Sequence, residues 1–144
     1  MTVRGRRNQW GNENHQKISD RHREWGFDVP AVDIDFLLIE YDHSTPKALI
    51  EYKGENANIN FETITNRGAA PHSYNAIKTL ADNSQIPFYV VVYTNNLKQY
   101  YVIPMNSFAK KYIQNEAVLT EEEYVTFLYN IRNRKPPQSI IEKL

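Results

Sequence analysis

The sequence has no cysteine among its 144 residues, which excludes disulfide bonds, thiolate zinc sites and cysteine nucleophiles. It has no net charge either, because 17 basic residues balance 17 acidic ones, so contact with nucleic acid or anionic lipid would need a local patch. No apolar run approaches the roughly 18 residues that a membrane span needs. Because the polar, arginine-containing start also differs from a signal peptide, we expect a cytoplasmic protein without membrane contact.

Two catalytic motif classes are missing as well. The sequence contains no glycine-rich phosphate loop and no Gly-x-Ser-x-Gly nucleophile elbow, which excludes nucleotide hydrolases of the P-loop type and serine esterases of the elbow type. The histidines do not follow a metal-ligand spacing, so a zinc site is not expected.

What the chain does contain is typical of one globular domain. Its 41% hydrophobic and 24% charged residues are ordinary for such a domain, and a chain of this length can bury a substantial core. We expect residues 1–12 to form a flexible basic arm, residues 13–134 a single domain, and residues 135–144 a loose C-terminal tail.

The order of hydrophobic patterns predicts an α/β fold. Runs rich in β-branched and aromatic residues indicate strands, and 3.6-residue periodicity with capping residues indicates helices. Strands are predicted at Val32–Tyr41, Lys47–Lys53, Ile86–Thr94 and Lys98–Pro104, and helices at Glu13–Trp25, Ser73–Asn83, Asn106–Gln114 and Thr120–Arg132. Ser73 is the expected N-cap of its helix, and Thr120–Glu123 is typical of a capping box. The predicted fold class is therefore a central mixed sheet flanked by helices.

Four ionisable residues interrupt the first two apolar strands, namely Asp33, Asp35, Glu51 and Lys53. If these strands pair as a hairpin centred on His43, the numbers of opposite residues sum to 86. Asp35 then faces Glu51, and Asp33 faces Lys53. Because side chains alternate along a strand, all four share one face of the sheet, and opposite Cβ atoms lie about 5 Å apart.

A carboxylate cluster of this kind is unfavourable on a buried sheet. Each uncompensated buried ion costs several kcal/mol, and neighbouring carboxylates raise each other's pKa. Lys53 offsets only one charge, whereas a bound hard cation would offset the rest, since Mg²⁺ is held by one or two carboxylates together with water and phosphate. The alternative is a solvated strand end with an Asp33–Lys53 surface pair. The Glu51-x-Lys53 tandem at the end of an apolar strand, followed by a long loop, favours the cation site.

An acid on one strand, a turn, and an apolar strand that ends in Glu-x-Lys resemble the PD-(D/E)xK nuclease superfamily, which includes many restriction endonucleases, Holliday-junction resolvases and phage exonucleases. The segment VDIDFLLIEYDHSTPKALIEYKGE is similar to the core of that fold, and SYNAIKTLADNSQIPFYVVVY is similar to the helix and strand that complete it. The resemblance covers residues 13–103. It implies a restriction-endonuclease-like core, to which this chain adds C-terminal helices.

The resemblance also implies a metal-dependent deoxyribonuclease. Asp35 and Glu51 would hold Mg²⁺ or Mn²⁺, with help from the backbone carbonyl of Tyr52. Asp33 would be a second ligand or a hydrogen-bonding neighbour. Lys53 would position the attacking water, which makes Asp35, Glu51 and Lys53 the expected catalytic set.

Two parts of the family pattern are less clear in this chain. The family often places a glutamate on the first helix, facing the site. The candidates for that position here are Glu13, Asp20, His22 and Glu24. The strand that precedes the first acid in the family is only hinted at, around Phe27–Val29.

DNA is the partner that the resemblance implies, in phage, mobile-element or repair biology. Candidate phosphate contacts in local basic clusters are Arg4, Arg6, Arg7, Arg67, Lys78, Lys110 and Lys111. Such contacts give a non-specific affinity that falls with salt. Phe127 and Leu128 in the last predicted helix would either form a homodimer interface, as in many relatives, or pack on the sheet. The alternative function is a catalytically silent nuclease-fold module that binds DNA or a protein partner, and the choice between endo- and exonuclease is left open.

Overall fold

A computed structural model describes residues 16–18, 20–25, 34–40, 44–55 and 74–144. The chain divides into two compact units, Met1–Asp33 and Ile34–Leu144. In the first unit, residues 16–18 and 20–24 are helical, within the range predicted for the first helix. Within the described residues, no helix is both long enough and apolar enough to cross a membrane.

The second unit is built on a five-stranded mixed sheet whose strands lie side by side in chain order. The strands are β1 (Phe36–Glu40), β2 (Thr45–Gly54), β3 (Phe88–Tyr93), β4 (Gln99–Pro104) and β5 (Ala117–Thr120). Only β2 and β3 pair in parallel, and the other neighbours are antiparallel. A parallel pair needs a crossover connection, and helix α1 (Asn75–Ser84) lies in that connection. The predicted α/β class with a mixed central sheet is confirmed.

Helices cover both faces of the sheet. On one face, Ile77 and Ala81 of α1 pack with Leu49, Phe88 and neighbouring apolar residues. On the other face, helix α2 (Glu121–Ile131) packs Tyr124, Phe127 and Ile131 into a second apolar cluster. This double cover explains why the sequence of β3, FYVVVY, is apolar at both odd and even positions.

The predicted register of the first hairpin is confirmed at the end that carries the acids. Phe36 pairs with Ile50, Leu37 with Leu49 and Leu38 with Ala48, and each pair sums to 86. The register then shifts, so that Ile39 lies opposite Pro46 and Lys47 is the extra residue. Proline has no backbone N–H to donate, so within a sheet it is found at bulges and on edge strands. Pro46 lies at this register shift.

Glu40, the last residue of β1, is held by two arginines, Arg132 and Arg134. Glu40 accepts hydrogen bonds from Arg132 Nε at 3.3 Å and Nη2 at 3.2 Å, and from Arg134 Nε at 3.0 Å. These contacts, the Arg134 bond foremost, lower the pKa of Glu40 to about 2. The segment that follows α2 is therefore attached to β1.

Of the two predicted helix N-caps, one is confirmed and one is not. The capping box of α2 is confirmed, since Thr120 Oγ1 accepts from the backbone N–H of Glu123 at 3.2 Å and Glu123 Oε1 accepts from the N–H of Thr120 at 2.8 Å. The N-cap of α1 is Tyr74, whose side chain makes no capping hydrogen bond. The prediction of Ser73 as the N-cap was therefore wrong by one residue.

The region between β4 and α2 departs from the predicted helix at Asn106–Gln114. Only Ala109–Lys111 is helical there, as a short 3-10 turn, and Ala117–Thr120 forms the unpredicted edge strand β5. Asn106, which is 4% exposed, accepts from the backbone N–H groups of Phe88 and Ala109 and so ties this turn to the start of β3. Within the segment predicted as a loose tail, Gln138–Ile141 forms the short helix α3.

Candidate functional site

Asp35 and Glu51 lie side by side where the β1–β2 ladder stops. The ladder of backbone hydrogen bonds between β1 and β2 ends at the Phe36–Ile50 pair. Just beyond it, two backbone N–H groups donate to carboxylate side chains. The backbone N–H of Asp35 donates to Glu51 Oε1 at 2.9 Å, and the backbone N–H of Tyr52 donates to Asp35 Oδ2 at 3.0 Å. These reciprocal bonds fix both carboxylates at one point of the sheet.

Glu51 is the one buried acidic residue in the described part of the chain, with 7% of its surface exposed. It lies opposite the buried Val90 of β3. Burial is the main reason that its pKa is raised, and the nearby charge of Asp35 raises it further. The hydrogen bond from the Asp35 N–H and the positive charge of Lys53 act in the opposite direction. The ionised form of Glu51 is therefore disfavoured mainly by burial and also by the charge of Asp35.

Lys53 lies two residues after Glu51, so both side chains are on the face of β2 that α1 covers. Its ammonium is close enough to lower the pKa of Glu51. Its Nζ atom lies 6.0 Å from the centroid of the Tyr74 ring. Glu51 and Lys53 thus share one face of β2, and Asp35 lies next to Glu51 at the end of the β1–β2 ladder.

Tyr74 is a member of this site that the sequence analysis missed. The residue is 7% exposed. Burial and then the charges of Glu51 and Asp35 raise its pKa to about 12. Its position directly before α1 is the signal that could have found it, because α1 covers the sheet face that carries the odd-numbered side chains of β2.

The paired carboxylates fit a hard divalent cation. Each carboxylate has one oxygen bonded to a backbone N–H, and the two side chains also lie within hydrogen-bonding reach of each other. Mg²⁺ is commonly bound through one or two carboxylates, with water and phosphate completing its shell. A cation here would also relieve the repulsion between Asp35 and Glu51.

A larger ligand set is not seen in the described residues, where no three His, Cys, Asp or Glu side chains group together at metal-binding distance. The predicted additional ligand Asp33 lies outside the residues that the structure describes. Tyr52 directs its side chain to the other face of the sheet, where its hydroxyl is hydrogen-bonded to that of Tyr124 at 2.6 Å. Tyr52 therefore contributes to the site only through its backbone.

The candidates on the first predicted helix belong to the N-terminal unit, Met1–Asp33. Glu13 lies outside the described residues. Asp20 and Glu24 make exposed ion pairs with Arg23 and Arg21 at 2.9 Å each. The ring of His22 packs against Trp25 with centroids 4.9 Å apart.

The predicted phosphate contacts divide into three groups. Arg4, Arg6, Arg7 and Arg67 lie outside the described residues. Lys78 is paired with Asp82 at 2.7 Å, within helix α1. Lys110 and Lys111 follow the carboxyl end of β4, which runs antiparallel to β3. They are therefore at the opposite end of the sheet from Lys53.

Of the two options for Phe127 and Leu128, the structure shows packing on the sheet. Phe127 is buried, and its ring meets the ring of Tyr89 edge-on with centroids 5.0 Å apart. Leu128 is partly buried against the same cluster. Both side chains therefore contribute to the apolar cluster between α2 and the sheet.

No protein-family model, no curated protein and no solved structure matches this chain. The function is therefore inferred from the geometry around Asp35 and Glu51.

Proposed function

We propose that this chain is a divalent-metal-dependent nuclease that hydrolyses DNA phosphodiester bonds, in the manner of the PD-(D/E)xK superfamily that it resembles. The observation that supports this most directly is the reciprocal hydrogen bonding of Asp35 and Glu51, with Lys53 beside them on one sheet face. In this arrangement the two carboxylates would bind a cation, and the lysine adds a positive charge that belongs to the chain.

Asp35 and Glu51 are the proposed ligands of Mg²⁺ or Mn²⁺. Their backbone hydrogen bonds hold the carboxylates in place before any cation arrives, so binding requires little rearrangement. When bound, the cation supplies charge neutralisation at a phosphate oxygen and lowers the pKa of water. The Tyr52 carbonyl and Asp33 remain proposed additional ligands.

Lys53 supplies a positive charge that belongs to the chain itself. Its half-buried ammonium lies on the same face as Glu51. There it would orient the attacking water and stabilise the negative charge that grows on the phosphate. By analogy with a single oxyanion-hole donor, such a group contributes about 3–4 kcal/mol to catalysis.

The proposal is tested by incubating the purified protein with supercoiled plasmid, branched DNA and single-stranded DNA in Mg²⁺, in Mn²⁺ and in EDTA. The parent protein should cleave at least one substrate only with metal, and Glu51→Gln should not. Glu116→Gln is the matched control, since Glu116 is an exposed acid outside the site, and it should cleave as the parent does.

Metal binding is measured separately by thermal unfolding with and without Mn²⁺, because a ligand that binds only the folded state raises its stability. The parent should show a higher midpoint with Mn²⁺, and Glu51→Gln should show none of this increase. A parent that neither cleaves nor responds to metal would instead support the alternative, a catalytically silent module that binds DNA or protein.

A further inference from the structure

Tyr74 occupies a position where its side chain has no role in starting the helix. It is the N-cap residue of α1, yet it makes no side-chain capping bond. Its ring instead packs edge-on against Phe88, with centroids 6.2 Å apart and planes at 89°. With 7% of its surface exposed, the ring is buried between the helix start and the sheet.

The buried ring lies beside a flexible side chain. Lys53 Nζ is 6.0 Å from the ring centroid, the distance within which a cation is attracted to an aromatic ring. A lysine ammonium is a point charge on a four-carbon stem with many rotamers. No other described aromatic ring lies within cation–π distance of Lys53, so Tyr74 is the aromatic contact that restricts where this ammonium goes.

We propose that Tyr74 is a positioning residue whose ring holds the Lys53 ammonium beside the Asp35–Glu51 carboxylate pair. This inference rests on the proposed function for its catalytic consequence, but the contact itself does not depend on it. The ring acts through Lys53 and not on the substrate, so its loss should affect the transition state more than substrate binding.

The test compares Tyr74→Phe, which keeps the ring, with Tyr74→Leu and Tyr74→Met, which remove it. Two apolar replacements are used so that one folded variant without the ring is available. The first readout is NMR of the lysine ε-methylene groups in protein with ¹³C-labelled lysine, with Lys53 assigned from Lys53→Arg. The Lys53 signal should move when the ring is removed and stay near its parent position in Tyr74→Phe.

The second readout is steady-state cleavage. Removing the ring should lower kcat by about tenfold with KM within about twofold, a change in keeping with the loss of one partly buried cation–π contact. Tyr74→Phe should recover most of that loss. The thermal shift with Mn²⁺ should persist in all three variants, because the carboxylates are unchanged.

Tyr112→Leu is the matched control, since it removes a ring that lies 5.6 Å from Lys111, at the other end of the sheet from Lys53. It should change neither the Lys53 signal nor kcat. The proposal is overturned if the Lys53 signal is unmoved by ring removal, or if Tyr74→Phe loses as much kcat as Tyr74→Leu. If the parent cleaves nothing, the proposed function fails, and the NMR comparison still decides whether Tyr74 holds Lys53.

Discussion

The backbone N–H of Asp35 donates to the carboxylate of Glu51 over 2.9 Å, which places two negative charges together at the start of β1. The structure stabilises this arrangement with backbone N–H groups and with Lys53. Burial of Glu51 raises its pKa, and the remaining repulsion from Asp35 raises it further.

We predict that Glu51→Gln increases thermal stability in EDTA. Glutamine keeps the shape and the oxygen that accepts from the Asp35 N–H, and it removes a buried negative charge next to another carboxylate. The midpoint of thermal unfolding should rise in EDTA, while the increase caused by Mn²⁺ in the parent should vanish. A lower midpoint in EDTA would show that the charge of Glu51 stabilises the fold without metal.

Lys53→Met should separate catalysis from metal binding. Methionine keeps much of the apolar stem and removes the ammonium, so cleavage should fall by about 10²–10³-fold, while the thermal shift with Mn²⁺ remains. Lys143→Met is the control, because Lys143 is exposed near the end of the chain and has no proposed role at the site. Equal cleavage by Lys53→Met and Lys143→Met would remove Lys53 from the proposed mechanism.

The Glu40 cluster predicts an acid-dependent loss of stability. The two arginines hold the pKa of Glu40 at about 2, below its ordinary 4.5, so the folded state favours the ionised form. The resulting stabilisation is fully present above about pH 4.5 and is lost as pH falls toward 2. Urea unfolding of the parent and Glu40→Gln should give a stability difference at pH 7 that shrinks below pH 4.5. A difference that stays constant from pH 7 to pH 2.5 would contradict this linkage.

Asn106→Ala should destabilise the fold more than other asparagine replacements. The Asn106 side chain accepts from the N–H groups of Phe88 and Ala109, and it donates to Asp82 and to the carbonyl of Ile86. Leaving the buried backbone groups without partners costs about 1–3 kcal/mol each. Urea unfolding should show this loss, and Asn95→Ala, at an exposed turn position, should change stability by less than about 0.5 kcal/mol.

Much of the fold could be predicted because local pattern and tertiary structure agree. The apolar runs of β2 and β3 and the capping box at Thr120 each determine an element from neighbouring residues alone. The register of the first hairpin was also predictable near Asp35, because a slip by one residue would move its side chains to the other face.

The remaining features depend on contacts between distant residues. Tyr74 enters the site because α1 crosses over the sheet face that carries the odd-numbered side chains of β2, and its place directly before the predicted helix is the only sequence signal of this. The four residues of β5 carry too short a pattern to identify a strand, and their pairing with β4 determines it. The short turn at Ala109 replaces the predicted helix because Asn106 binds the start of β3, which lies far away in sequence.

The arginines after α2 have a consequence for how the molecule is assembled during synthesis. Strand β1 is joined to the rest of its unit through Asp35 at one end and through Glu40 at the other. The second attachment can form only after Arg132 and Arg134 have left the ribosome, long after β1 itself. A nascent chain that has not yet reached these residues would hold β1 by its pairing with β2 and by the Asp35 bonds alone, so the attachment at Glu40 should form last.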